Sequence, residues 1–234
     1  MMGLVNSATR TAIFIDGWNF ARVTYEGLGI RVDFRRLLSL LCSGTTLVRA
    51  RYYIGEWSEE SYALYAAARR ARGLTVEHAD PAEAERRRRD QQGFIRMLNR
   101  NGYQVVRRGM RVHVDGTVKA EIGIDLAVDA MWMADHCDRM VLVMGDAEYV
   151  PLVHALALKG VRVVVAGSQS NWAYNHSVEH PRPFPGRASD ELLDAADEFI
   201  ELREAAREIE LHDEARRSMR PAATPSDELE EISN

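Results

Sequence analysis

The chain has 234 residues, 46% of them hydrophobic, which is ample for one α/β domain with a sizeable core. No apolar run approaches the roughly 18 residues needed to cross a bilayer, and the polar opening Met1 to Arg10 is too short for a secretion signal, so a cytoplasmic protein is expected. The net charge of −5 hides an asymmetry: residues 189–234 hold 15 acids against 5 arginines, while residues 1–188 hold 25 basic and 20 acidic side chains, so overall acidity does not exclude a nucleic-acid partner.

Residues 11–15 form an apolar run ending at Asp16, the pattern of a buried parallel strand with a carboxylate at its C-terminal end. Asp33 is placed to cap a helix over residues 34–41, where Leu37, Leu38 and Leu41 share a face. Residues 47–54 are rich in β-branched and aromatic side chains and read as a second strand. Residues 59–72 suit a solvated scaffold helix with an Ala-rich buried face, and residues 83–101 suit another helix before a third strand at 103–107. The apolar spacing over residues 122–134 is helical. Residues 140–143 and 161–165 are short and nearly all apolar, as in central parallel strands covered on both faces, with a crossover helix at 150–158 between them.

This alternation predicts a doubly wound, mainly parallel α/β sheet, in which ligands bind beyond the strand C-termini. Residues 167–186, with Pro181, Pro183 and Pro185, read as an irregular loop. Residues 190–217 read as a charged helix, and from Ser218 the composition is that of disorder. The expected organisation is one domain over residues 11–200 and an acidic, helical and partly disordered tail over residues 201–234. Cys42 and Cys137 lack CxxC spacing and are expected to be buried, reduced thiols.

Acids stand where this fold places ligands. Asp16 follows the first strand in Ile15-Asp16-Gly17-Trp18-Asn19, and Asp146 follows the fourth in Met144-Gly145-Asp146-Ala147-Glu148. Asp125 and Asp129 are four residues apart and project from one helix face. Gly145 permits a tight turn that holds its acid at the sheet edge. Singly, each acid is an ordinary cap, loop-former or surface residue. Together, converging carboxylates repel one another unless a cation lies among them, and oxygen donors without His or Cys select Mg²⁺ or Mn²⁺ over zinc.

Ala12-Ile13-Phe14-Ile15-Asp16-Gly17-Trp18-Asn19-Phe20 resembles the opening of the NYN domains, the LabA-like branch of the PIN-like nucleases. Val143-Met144-Gly145-Asp146-Ala147-Glu148-Tyr149-Val150-Pro151-Leu152 is similar to that family's Gly-Asp-x-Asp-Phe-x-Pro-Leu segment, and Leu126-Ala127-Val128-Asp129 to its Leu-Ala-x-Asp helix. The resemblance covers about residues 11–200. It departs at three points: Glu148 replaces the second acid of Gly-Asp-x-Asp, Met144 replaces a Ser or Thr, and Gly123 stands where many members carry a helix-start Asp. The resemblance implies hydrolysis of RNA phosphodiesters with Mg²⁺ or Mn²⁺. On that basis Asp16, Asp125, Asp129, Asp146 and Glu148 are the expected catalytic acids, with Asp16, Asp125, Asp146 and Glu148 as metal ligands. Asn19 is expected to bond a phosphate oxygen or fix an Asp rotamer, and Lys119, Arg108 and Arg111 to contact substrate.

Arginines concentrate at Arg69, Arg70, Arg72, Arg86 to Arg89, Arg96, Arg100, Arg107, Arg108 and Arg111. A basic surround suits an enzyme that cuts phosphodiesters, because backbone affinity comes from neutralised phosphates. The loop holding Trp172, Tyr174, His176, His180, Arg182 and Phe184 suits stacking on unpaired bases, or a flap. Its two histidines without Cys or a third His do not make a zinc site. The alternative function is a catalytically weak module on the same fold, binding RNA or a protein partner. A haloacid dehalogenase-type phosphatase would need a second acid two residues after the first, where Trp18 stands, and no GxGxxG follows a strand. A homodimer is left open.

Overall fold

The computed structural model describes residues 9–71, 81–112, 118–171 and 184–211. In chain order its elements are β1 (Arg10–Asp16), α1 (Gly17–Ala21), α2 (Phe34–Leu41), β2 (Thr46–Glu56), α3 (Glu59–Ala71), α4 (Pro81–Arg100), β3 (Tyr103–Gly109), β4 (Arg111–Val112), β5 (Val118–Lys119), α5 (Gly123–Met133), β6 (Arg139–Val143), α6 (Val150–Leu158), β7 (Arg162–Gly167), α7 (Asp190–Ala195), β8 (Glu198–Glu201) and α8 (Ala206–Ile209). The central sheet is wholly parallel, in the order β3-β2-β1-β6-β7-β8. The doubly wound α/β architecture expected from the alternating pattern is therefore present.

The apolar runs of β1, β6 and β7 are buried because helices cover both faces of the sheet. On one face Ile13, Ile15, Val141 and Val164 pack with Leu37 and Leu41 of α2 and Leu98 of α4. On the other, Phe14, Leu142 and Val165 pack with Leu126 and Ala130 of α5 and Val153 and Leu156 of α6. Asp33 caps α2 as predicted, accepting from the backbone N–H groups of Arg35 and Arg36 at 2.9 and 3.2 Å. Cys42 and Cys137 are both free, and burial pushes the Cys137 thiol up to about 11. Among the described residues no helix is long and apolar enough to cross a membrane.

The strand order fixes where a ligand can sit. From β1 the chain winds outward through β2 and β3, and from β6 it winds the other way through β7 and β8. The direction reverses between β1 and β6, whose last paired residues are Ile15 and Val143. Asp16 closes one of these strands and Asp146 lies just beyond the other, so both acids flank the crevice that the reversal opens.

Two sequence expectations require correction. The charged segment expected as one helix over residues 190–217 is, in its described part up to Leu211, α7, then β8, then a turn and the short α8. Helix-forming side chains lose here to the open backbone edge of β7. Asp197 receives the Val163 N–H on its carboxylate at 2.7 Å, and β8 then pairs with β7 from Val164 to Gly167. Phe199 and Ile200 fall on opposite faces and join the two cores. Residues 201–211 are also packed against the body, with Leu202 and Ile209 fully buried. The Asp33 N–H donates to the Ile209 carbonyl at 2.8 Å, and the Leu211 N–H to the Arg31 carbonyl at 2.7 Å. The disorder expected from Ser218 lies outside the described residues.

Leu202→Ala and Ile209→Ala should each lower unfolding free energy by about 2–5 kcal/mol in urea titrations, because each leaves a cavity in a closed core. A loss near zero would mean that this segment is not part of the cooperative fold.

Candidate active site

Asp16 is only 5% exposed. Its Oδ1 caps α1, accepting the Trp18 and Asn19 backbone N–H groups at 3.0 and 3.1 Å. Its Oδ2 accepts the Tyr149 hydroxyl at 3.0 Å. Burial raises the Asp16 pKa above the ordinary carboxylate value; the bonds from Asn19, Tyr149 and Trp18 oppose that shift, and the charge of Asp146 adds to it. The Tyr149 hydroxyl is itself pushed far up, by burial first and then by the charges of Asp16, Glu148 and Asp146. It therefore stays protonated and acts as a donor to Asp16.

Asp146 and Glu148 are exposed, on the short 3₁₀ turn that leads into α6. Neither side chain caps the turn or α6: the flanking N-cap positions Asp146 and Tyr149 carry no side-chain cap bond. Gly145 is required by close approach. A Cβ there would meet Asn19 Nδ2 at 2.7 Å and the Gly186 carbonyl at 3.0 Å, so the loop closes against α1 only without a side chain. At Gly123 a Cβ would stand 3.2 Å from Glu148 Oε1 and 3.5 Å from the Tyr149 hydroxyl. The Glu148 carboxylate thus stands over the side-chain space that Gly123 leaves open at the start of α5.

The five predicted acids are not brought together. Asp16, Asp146 and Glu148 line one cleft with Tyr149 and Gly123, whereas Asp125 and Asp129 do not line it. Asp125 is held by a two-pronged ion pair with Arg108, from β3. Asp129 is paired with Arg51, from β2, and accepts the Tyr53 hydroxyl at 2.7 Å. Both carboxylates do share a face of α5, but that face is turned to strands β2 and β3. Among the described residues no three His, Cys, Asp or Glu side chains are grouped to hold a metal ion. Of the expected ligands, Asp16, Asp146 and Glu148 therefore share one cleft, while Asp125 lies apart from it and pairs with Arg108.

The expected substrate contacts also shift. Arg108 is engaged by Asp125, and Arg111 pairs with Glu121 at 2.9 Å. Asn19 is buried against Gly145 and does not line the cleft, while its backbone N–H holds Asp16. Lys119 lies in β5 with its side chain outside the described residues, as are Arg72, Trp172, Tyr174, His176, His180 and Arg182. Phe184 is described and buried, its ring filling the space over Gly27.

Basic side chains in the cleft are Arg31, Arg70 of α3 and Arg87, Arg88, Arg89 and Arg96 of α4, with Arg88 and Arg89 paired to Glu85 in the same lining. The cleft measures about 2010 Å³, well beyond the roughly 300–1,000 Å³ of a small-molecule pocket, and so suits a polymer. Sequence reasoning missed Tyr149, because the corresponding family position is an apolar Phe and reads as core. Its signal was the hydroxyl itself, three residues after a strand-end acid.

The model of the NYN domain family matches residues 10–203. The chain belongs to the NYN domain family. That family consists of PIN-like nucleases, which act on RNA and typically use divalent metal ions. A crystal structure of a protein of unknown function from Vibrio parahaemolyticus has a similar fold, with a TM-score of 0.59 and 19% identity, covering 88% of this chain and 98% of that one. A curated NAD kinase from Shewanella frigidimarina is 34% identical over 74 residues, 31% of this chain. This NYN chain spans only 24% of that kinase, too little to carry its activity across.

Asp16→Asn retains the shape and capping ability of the side chain but removes a charge held out of water beside Asp146. In EDTA at neutral pH the variant should therefore melt at a higher temperature than the parent, and Mn²⁺ should narrow the gap. A lower melting temperature in EDTA would show that the buried charge is already balanced within the protein.

Proposed function

We propose that this NYN domain is a metal-dependent ribonuclease whose working acids are Asp16, Asp146 and Glu148. The observation that carries the reading is the pair of strand-end carboxylates at the topological switch point, opening into a cleft of polymer size walled by arginines. The donors suit a hard ion. All are carboxylate oxygens, one is buried and destabilised by its neighbour's charge, and Mg²⁺ is commonly held by only one or two carboxylates plus substrate phosphates and water.

Asp16 and Asp146 would hold the ion, with Glu148 beside them. Bound there, the ion supplies positive charge against the charge building on the phosphate and makes water a competent nucleophile near neutral pH. The protein's own contributions are positional. Three donors fix Asp16 in one rotamer, so little reorganisation is needed at that oxygen pair. Glu148 is exposed and free of helix capping, and can accept a proton from the attacking water. Arg70 and Arg87 offer charge to the flanking phosphates. Asp125 and Asp129 act on this reading as anchors of α5 and not as ligands.

The engagement of those two acids outside the cleft also favours the second reading, a module that binds RNA and cuts it weakly or not at all. Labelled RNA incubated with the purified chain separates the two. Cleavage should require Mn²⁺ or Mg²⁺ and cease in EDTA. Asp146→Asn should abolish it with an unchanged circular dichroism spectrum, and Glu148→Gln should slow it by about tenfold or more. Undiminished cutting in EDTA, or by Asp146→Asn, would overturn the metal-dependent mechanism, and binding without cutting would select the second reading.

A further inference from the structure

α3 was expected to be a solvated scaffold helix, yet it forms a wall of the cleft. Its N-terminus is tied by reciprocal serines: the Ser58 N–H donates to Ser61 Oγ at 2.9 Å, and the Ser61 N–H to Ser58 Oγ at 3.0 Å. Trp57 precedes this cap and Tyr62 follows it, with ring centroids 5.9 Å apart and planes at 79°. Trp57 also lies 5.5 Å from the Tyr65 ring. These are the positions of a hydrophobic staple, whose ordinary role is to fix the entry angle of a helix.

A staple needs only two apolar side chains that meet. Here they are a Trp and a Tyr, both half-buried, and both line the same cleft as Asp16 and Asp146. The aromatic patch is continuous with the acids. Trp18, whose backbone N–H bonds Asp16, packs with Trp57 against Tyr65 and Met110. Along α3, Tyr62, Ala66 and Arg70 recur every four residues and so share the face that lines the cleft. Arg87 and Arg88 of α4 line it as well, Arg88 paired with Glu85 at 2.7 Å. Flat π-faces interleaved with guanidinium groups are what a strand of unpaired nucleotides requires: rings for the bases, charge for the phosphates. Paired bases keep their faces stacked within the duplex and cannot use such a surface.

We propose that Trp57 and Tyr62 form a base-stacking seat in this cleft, with Arg70 beside it along the phosphates. This rests on the ribonuclease reading, and binding measured in EDTA, where no cleavage is expected, keeps the two separable.

The test uses the full chain, a labelled short oligouridylate, an abasic ribose-phosphate oligomer of equal length and a blunt RNA duplex of that length. The parent should bind oligouridylate about tenfold or more tighter than the abasic oligomer. Trp57→Ala and Tyr62→Ala should each erase most of that difference while leaving abasic binding unchanged, and Trp57→Phe should retain most of it. If Trp57→Ala does not fold, Tyr62→Ala and Trp57→Phe decide. Equal losses for both single strands, or an unchanged preference, would overturn the seat and leave only a staple. A fall in sedimenting mass on Trp57 substitution would overturn it in favour of an interface between copies. A preference that vanishes with Tyr62→Ala, in a chain that cuts nothing in Mn²⁺, would uphold the seat while refuting catalysis. Failure to bind any of the three probes would overturn both.

Discussion

Asp16 is a carboxylate taken out of water at the end of a strand whose neighbours are apolar on both faces. Isolated in such a place a charge is expensive, and the protein meets the demand locally. Two backbone N–H groups at the start of α1 take one oxygen, and a tyrosine hydroxyl takes the other. These three bonds tie together the end of β1, the first turn of α1 and the turn after β6. The crevice at the switch point thus has a fixed floor, and the more exposed Asp146 and Glu148 stand around a carboxylate that cannot turn away.

Much of this was legible in the sequence. The apolar runs of β1, β6 and β7 announce parallel strands because a strand covered on both faces has no polar side to show. Acids just past two of those runs then lie at one edge of one sheet. What periodicity could not supply was the rotation of α5. Four-residue spacing puts Asp125 and Asp129 on one face, but which neighbour that face meets depends on Arg51 and Arg108, distant in the chain and brought near only by the order of strands. The same limit hid β8. Its sequence favours helix locally, and only the open edge of β7 makes extension preferable.

Charge follows a similar division. Arg10, Arg107, Arg108 and Arg111 each face an acid across elements, and exposed pairs of this kind add little to stability because water and salt screen them. Their consequence is geometric: these arginines do not line the cleft, where basic side chains come mostly from the two helices between β2 and β3, with Arg31 beside them. A count of arginines along the chain therefore overstates the charge that a polyanion meets, and on α4 too Arg88 and Arg89 face Glu85.

The return of the chain to its own beginning bears on what this domain is as a physical object. Glu210 bridges Val32 in antiparallel fashion, and Ile209 and Leu211 bond the backbone on either side of it. A protease that clips between β8 and α8 would unfasten the segment that shields α2, exposing apolar surface to aggregation. The integrity of the body therefore depends on chain that runs about ten residues past the end of the last strand, from Glu201 to Leu211.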